Sequence, residues 1–212
     1  MRFVTGCASA LAVAFLTSSC ANLSTLQTAR TVEKGKYRAN GGIGLNFSKL
    51  KIGNDEIKLN LPYLEGQLRA GIIDNLDAGL RLTLIGPLQV DLKYQLVDAG
   101  DFALAIGAGL SYLSFTATSD ATISLFDVLL PVYLSYDLSP NFGIYASPKY
   151  VHRLKAGGTA GVEDMYGAAG GLRIGNKMGA FIEAGAYKTS KTGNPFTQLN
   201  VAFFFGSDPH VP

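Results

Sequence analysis

The sequence predicts an all-β fold, a closed antiparallel up-and-down β-barrel of about ten strands, of the type that crosses a membrane. Three observations predict it. Ten stretches alternate apolar and polar residues, and in nearly all of them the apolar set falls on even numbers. Leu76, Ala78, Leu80, Leu82 and Leu84, with Asp77, Gly79, Arg81 and Thr83 between them, make one such run. A strand turns successive side chains to opposite faces, so each run reads as a strand with one oily and one charged surface. Charged residues make up only 16% of the chain, against about 25% in ordinary soluble domains, and glycine is frequent. No apolar run after the first twenty residues reaches the roughly 18 that a spanning helix needs, so a membrane crossing here requires a barrel.

Residues 1–19 read as a signal peptide. Arg2 gives a positive start and Ala8–Leu16 an apolar core too short to span a bilayer. Thr17-Ser18-Ser19-Cys20 resembles the box that bacterial lipoprotein signals place before an acylated cysteine, which implies a covalent lipid at Cys20. An ordinary cleaved signal without lipid is the alternative. Cys7 is the only other cysteine, so the mature domain holds no disulfide. Residues 20–35 lack alternation and read as a disordered tether, with Arg30 and Lys34 solvated.

The barrel itself is expected over residues 36–206, with a short tail at 207–212. Its strands are read near Tyr37–Phe47, Leu61–Gly71, Leu76–Leu84, Leu88–Val97, Phe102–Phe115, Ile123–Leu138, Phe142–Arg153, Met165–Ile174, Gly179–Lys188 and Phe196–Phe205. Connections after the second, fourth, sixth and eighth strands are tight and carry the Gly, Pro, Asn or Asp that hairpin turns need. Most others read as longer polar loops, notably Lys49–Asn60 and Lys155–Asp164, while the turn at Ile85-Gly86-Pro87 is short.

Period-two alternation does not say which face is inside. Parity assigns Glu65, Asp77, Asp91, Asp127, Asp137 and Glu183 to the charged face, against Arg69, Arg81, Lys93, Lys149, Arg153 and Arg173. Six acids balancing six bases suit a confined lumen, where an unpaired charge is costly. Glu65, Arg69, Arg81, Asp91, Lys93, Lys149, Arg173 and Glu183 are therefore read as a lumen charge network. Aromatics such as Tyr37, Phe47, Tyr94, Phe102, Tyr136, Phe142, Phe203 and Phe205 sit toward strand ends, with Leu, Val, Ile and Ala between. Membrane barrels place such girdles at the lipid interfaces.

Taken together, residues 37–205 resemble small bacterial outer-membrane β-barrels, and Leu199, Val201, Phe203 and Phe205 resemble their C-terminal assembly signal. The resemblance implies export to a bacterial outer membrane, contact with its lipids and with the barrel-assembly machinery, and an N-terminus on the periplasmic side. A soluble lipocalin-like lipid carrier is the alternative fold; that family's Gly-x-Trp is missing, since the chain has no Trp.

Function is less legible. A structural or surface-interaction role with a polar, largely plugged lumen is the expected reading, with Lys49, Lys51, Asp55, Glu56, Lys58 and the stretch Lys155–Val162 as external contacts. The alternative is a narrow channel for water or small polar solutes, because Ala103, Ala105, Gly107, Gly109, Gly167, Ala169 and Gly171 make room on two sides. An enzyme is the rival class. Ser124, His152 and Asp164 share parity near the external ends of consecutive strands, the residue types of a lipid hydrolase. No catalytic residue is otherwise assigned, and no metal site, cofactor or nucleic-acid partner is expected: there are only two histidines and the net charge is +2.

Overall fold

The structure is a computed structural model describing residues 22–206 apart from 53–54, 85, 119–120, 157–160 and 191–194. The expected signal peptide, Cys20 and the C-terminal tail lie outside the described residues. Ten antiparallel strands close into one barrel in chain order, with β1 (Tyr37–Ile52) beside both β2 (Asp55–Ile73) and β10 (Pro195–Gly206). Between them run β3 (Leu76–Thr83), β4 (Leu88–Ala99), β5 (Phe102–Thr118), β6 (Ala121–Ser139), β7 (Phe142–Ala156), β8 (Gly161–Gly175) and β9 (Met178–Thr189). Among the described residues there is no helix.

Each expected strand is present, and the differences are at their ends. The expected loop Lys49–Asn60 is mostly paired backbone, with Lys49 opposite Lys58 and Ile52 opposite Asp55. The expected loop Lys155–Asp164 is likewise strand up to Ala156 and again from Gly161. In Lys49–Ile52 the apolar residues Leu50 and Ile52 change parity from Ile43, Leu45 and Phe47, so the pattern reads as broken while the backbone ladder continues. At the opposite end the turns after β2, β4, β6 and β8 leave two residues between strands. Bulges at Gly71/Ile73, Gln95/Val97 and Asp137/Ser139 shift the register shortly before three of these turns, and pairing resumes beyond each.

The barrel carries its oil outside. Leu82, Leu92, Leu110, Leu130, Ile144, Ile182 and Leu199 are exposed on the outer wall, whereas Glu65, Arg69, Lys93 and Glu183 are buried within. β1 and β10 alone carry their apolar residues on odd numbers (Ile43 and Leu45; Leu199, Val201, Phe203 and Phe205), and they are the two strands that close the barrel. On β5 and β6 the outer aromatics fall in two bands, Phe102 opposite Tyr136 and Tyr112 opposite Phe126.

The stretch expected to be a solvated tether is inside the barrel. Every residue from Asn22 to Val32 is at most 4% exposed. Arg30, expected in water, is buried with them; Lys34 is at the surface. The segment leaves the lumen at the rim of two-residue turns and doubles back into β1. Gly35, at φ +75°, makes the reversal that a side chain would strain. Its amide donates to Gly71 O at 3.0 Å, and the Gly71 amide donates to Lys36 O at 3.0 Å. Gly71 has no Cβ because the Glu33 and Val32 backbone occupies that space.

Two glycine substitutions separate this packing from general strand effects. Gly71→Val should lower stability by about 1–3 kcal/mol through overpacking. Gly66→Ala faces outward with only Asn40 O near, at 4.0 Å, and should be neutral. Urea-unfolding midpoints of the two variants in the same detergent check the contrast.

Candidate functional site

A ten-stranded wall encloses more width than its own side chains fill, since about eight strands suffice for a side-chain-packed interior. The N-terminal segment takes up the difference, and β3 serves as a ruler for its path. Asn22 Nδ2 donates to Thr83 Oγ1 at 2.9 Å, at the end of β3, and the Val32 amide donates to Asp77 Oδ2 at 2.8 Å, one residue from its start. Those wall residues are six positions apart, roughly 20 Å along the strand. The chain therefore runs lengthwise down the lumen, its Asn22 end toward the long hairpins.

Wall side chains bind the segment's backbone at nearly every step. Lys149 Nζ donates to Leu23 O at 2.5 Å and Ser24 O at 2.9 Å, and Tyr187 Oη donates to Leu23 O at 2.8 Å. Arg81 donates to Ser24 O at 2.5 Å and Thr25 O at 3.1 Å. The Glu183 carboxylate accepts from the consecutive amides of Thr25 and Leu26, at 2.8 and 2.9 Å. Leu26 is held at φ +46°, a left-handed conformation that turns adjacent amides into a concave anion seat. Tyr145 Oη and Asn200 Nδ2 complete the donors around Glu183, each at 3.0 Å. Lower down, Ser135 and Gln95 accept from the amides of Ala29 and Thr31. Lys93 Nζ donates to Thr28 O at 3.0 Å and Arg30 O at 2.6 Å.

The wall also pairs with itself. Arg69 bridges Asp77 at 2.5 Å and Asp91 at 2.6 Å, Arg153 grips Asp127 at 2.7 Å, and Arg173 meets Asp137 at 3.0 Å. Arg81 stands 3.7 Å from Glu65, and Lys93 3.5 Å from Asp77. All eight residues read from the sequence as a lumen charge network are buried in this interior. Sequence reasoning missed two further cations. Arg30 on the segment bridges Asp98 and Asp137, each at 2.7 Å, and Arg38 on β1 is fully buried 5.9 Å from the Phe181 ring centre.

Small residues make the room, as expected, and the occupant is the segment. Ala29 packs on Ala103, Ala105 and Tyr133 beside β5 and β6. Leu23 packs against Ala169 on β8 with Leu129, Val151, Met165 and Tyr187. Midway along the segment a cavity lined by Gln27, Arg81, Asp91 and Tyr133 has about 10 Å³, room for a single water, while a cavity of about 380 Å³ opens beside Arg30 and Lys34.

Only two of the three hydrolase-type residues come together. His152 and Asp164 are partners across β7 and β8, with His152 Nδ1 2.8 Å from Asp164 Oδ1. Ser124 is opposite Ala156, four positions or roughly 13 Å along the ladder from His152, and contacts Ser114 at 3.2 Å instead. Shared parity put the three on one face without fixing their height. Among the described residues, no group of three His, Cys, Asp or Glu side chains is placed to hold a metal.

The fold is that of small bacterial outer-membrane β-barrels. An outer membrane channel of Pseudomonas putida F1 superimposes with a TM-score of 0.50 at 9% identity, over 86% of this chain and 99% of that one. The outer membrane protease OmpT of Escherichia coli gives 0.44 at 10% identity, over 84% and 98%. The attachment invasion locus protein Ail of Yersinia pestis gives 0.39 at 9%, over 82% and 100%. No family profile and no curated sequence matches the chain.

The wall's own pairs set a stability prediction. Arg69→Met leaves Asp77 and Asp91 short of their shared cation and should cost about 3–5 kcal/mol. The cost should fall when Asp91→Asn is added, because one stranded charge is then removed. Thermal unfolding of the single and double variants checks both.

Proposed function

We propose that this protein is a bacterial outer-membrane barrel whose lumen is held shut by its own N-terminal segment, with a structural or surface-interaction role for the face bearing the long hairpins. The observation that carries the reading is the continuous burial of Asn22–Val32 along the barrel axis. The outer wall supports the membrane assignment. Phe102 to Tyr112, and Phe126 to Tyr136, are ten residues apart on their strands. At about 3.3 Å per residue and a tilt near 40°, the two aromatic bands stand roughly 25 Å apart, the height of a bilayer's apolar slab.

The lipid proposed at Cys20 rests on the box Thr17-Ser18-Ser19-Cys20. Radiolabelled palmitate should enter the wild type and not Cys20→Ser; equal labelling of both would remove the anchor from the proposal.

Planar bilayers test the closed lumen. The wild-type barrel should be electrically silent, and Leu23→Asp/Leu26→Asp, which puts charge into two apolar seats of the segment, should conduct. Steady conductance by the wild type would overturn the reading.

A further inference from the structure

We propose that the lumen is a binding site for an extended peptide, gripped by its backbone and by three apolar notches, and that the N-terminal segment is its resident occupant. The inference rests on the closed-lumen reading above and specifies what the site recognises.

Contacts to the segment fall into two kinds. The first is indifferent to side chains: Lys149, Arg81, Lys93, Tyr187 and Asn40 donate to carbonyls, while Glu183, Ser135, Gln95 and Asp77 accept from amides. Any non-proline residue offers those groups. Lys149 has no carboxylate within ion-pair distance among the described residues; its bonds go to two segment carbonyls. A fully buried ammonium arranged this way is built for a peptide rather than for a wall partner.

The second kind is selective. Leu23 and Ala29 fill the notches described above, and Leu26 fills one between Tyr145, Phe181, Ala202 and Phe204. These anchors recur every third residue, and Arg30 follows the last of them into the acids Asp98 and Asp137. Between the anchors the hydroxyls of Thr25 and Thr28 are buried with no hydrogen-bond partner. No wall group hydrogen-bonds those two hydroxyls, whereas Glu65 accepts from Ser24 Oγ at 2.7 Å and Tyr133 Oη accepts from Gln27 Nε2 at 3.3 Å. The peptide class it fits is therefore apolar at three positions spaced by three, cationic just after the third, polar directly after each of the first two anchors, and without a hydrogen-bond requirement at the next position.

The test uses full-length Leu23→Asp/Leu26→Asp protein, in which every wall residue is intact, with Leu26→Asp alone as the second variant should the double one not fold. A fluorescent synthetic peptide of residues 22–34 is titrated against it in micelles, and the unlabelled peptide is added to it in planar bilayers. Saturable binding, with block of any conductance, is expected. A peptide carrying Thr25→Val and Thr28→Val should bind at least as tightly, since it buries two fewer unpaired hydroxyls. Peptides carrying Leu26→Asp or Arg30→Ala should bind about tenfold more weakly or worse. A conducting variant that binds no peptide overturns this inference and leaves the closed-lumen reading standing. A silent variant that binds no peptide overturns both. Loss of binding by the double-valine peptide overturns the proposed selectivity.

Discussion

A charge enclosed in a barrel has no bulk water to face, and the architecture follows from that constraint. A buried ion left unpartnered costs several kcal/mol. Arg69 and Arg153 find carboxylates on neighbouring strands, and Arg173 reaches across β7 to one on β6. Lys149, Lys93 and Arg81 instead spend most of their hydrogen bonds on the carbonyls of the N-terminal segment. Glu183 is the mirror case, a carboxylate whose partners include two segment amides. The wall is thus incomplete without the chain that threads it, and the segment's polar backbone, a liability in most interiors, is what the wall is built to receive.

The alternation that made the strands legible is a property of neighbours in sequence, and that is why it found all ten. Leu76 to Leu84 carries its own evidence for a strand with an oily face. The lumen balance was legible for the same reason, because parity sorts Asp77 from Ala78 without knowing what lies across the barrel. The N-terminal segment offers no comparable pattern. Leu23, Leu26 and Ala29 recur every third residue, which does not match the strand period, and their partners are on strands far along the chain. A stretch that forms no ladder reads as a tether even when each of its residues is buried. The trace it left was indirect: Ala103, Ala105, Gly167 and Ala169 announced vacant space without naming what fills it.

Height along the strand is the other quantity that pattern withholds. Ser124, His152 and Asp164 share a face by parity, yet the register seats His152 opposite Asp164 and moves Ser124 four places away. The paired backbone of Lys49 to Ile52 and Asp55 to Lys58 read as a loop because Leu50 and Ile52 carry the apolar set on the opposite parity from Ile43, Leu45 and Phe47.

Seating the segment and closing the barrel are coupled through β1. The reversal at Gly35 joins them covalently, and Asn40 on β1 donates to Leu26 O at 2.8 Å just where the chain adopts its left-handed kink. That kink costs a leucine about 1–2 kcal/mol, and it persists because only a turned backbone offers Glu183 two amides at once. Glu183 is on β9 and Asn200 on β10, and β10 pairs with β1 at the closing seam. The acid that holds the kink therefore also braces the strand that meets β1 there. A barrel closed with its segment unseated would leave Glu183 with only Tyr145 and Asn200 of its four donors and Lys149 without either of its carbonyls, so the seated segment completes the wall beside the seam.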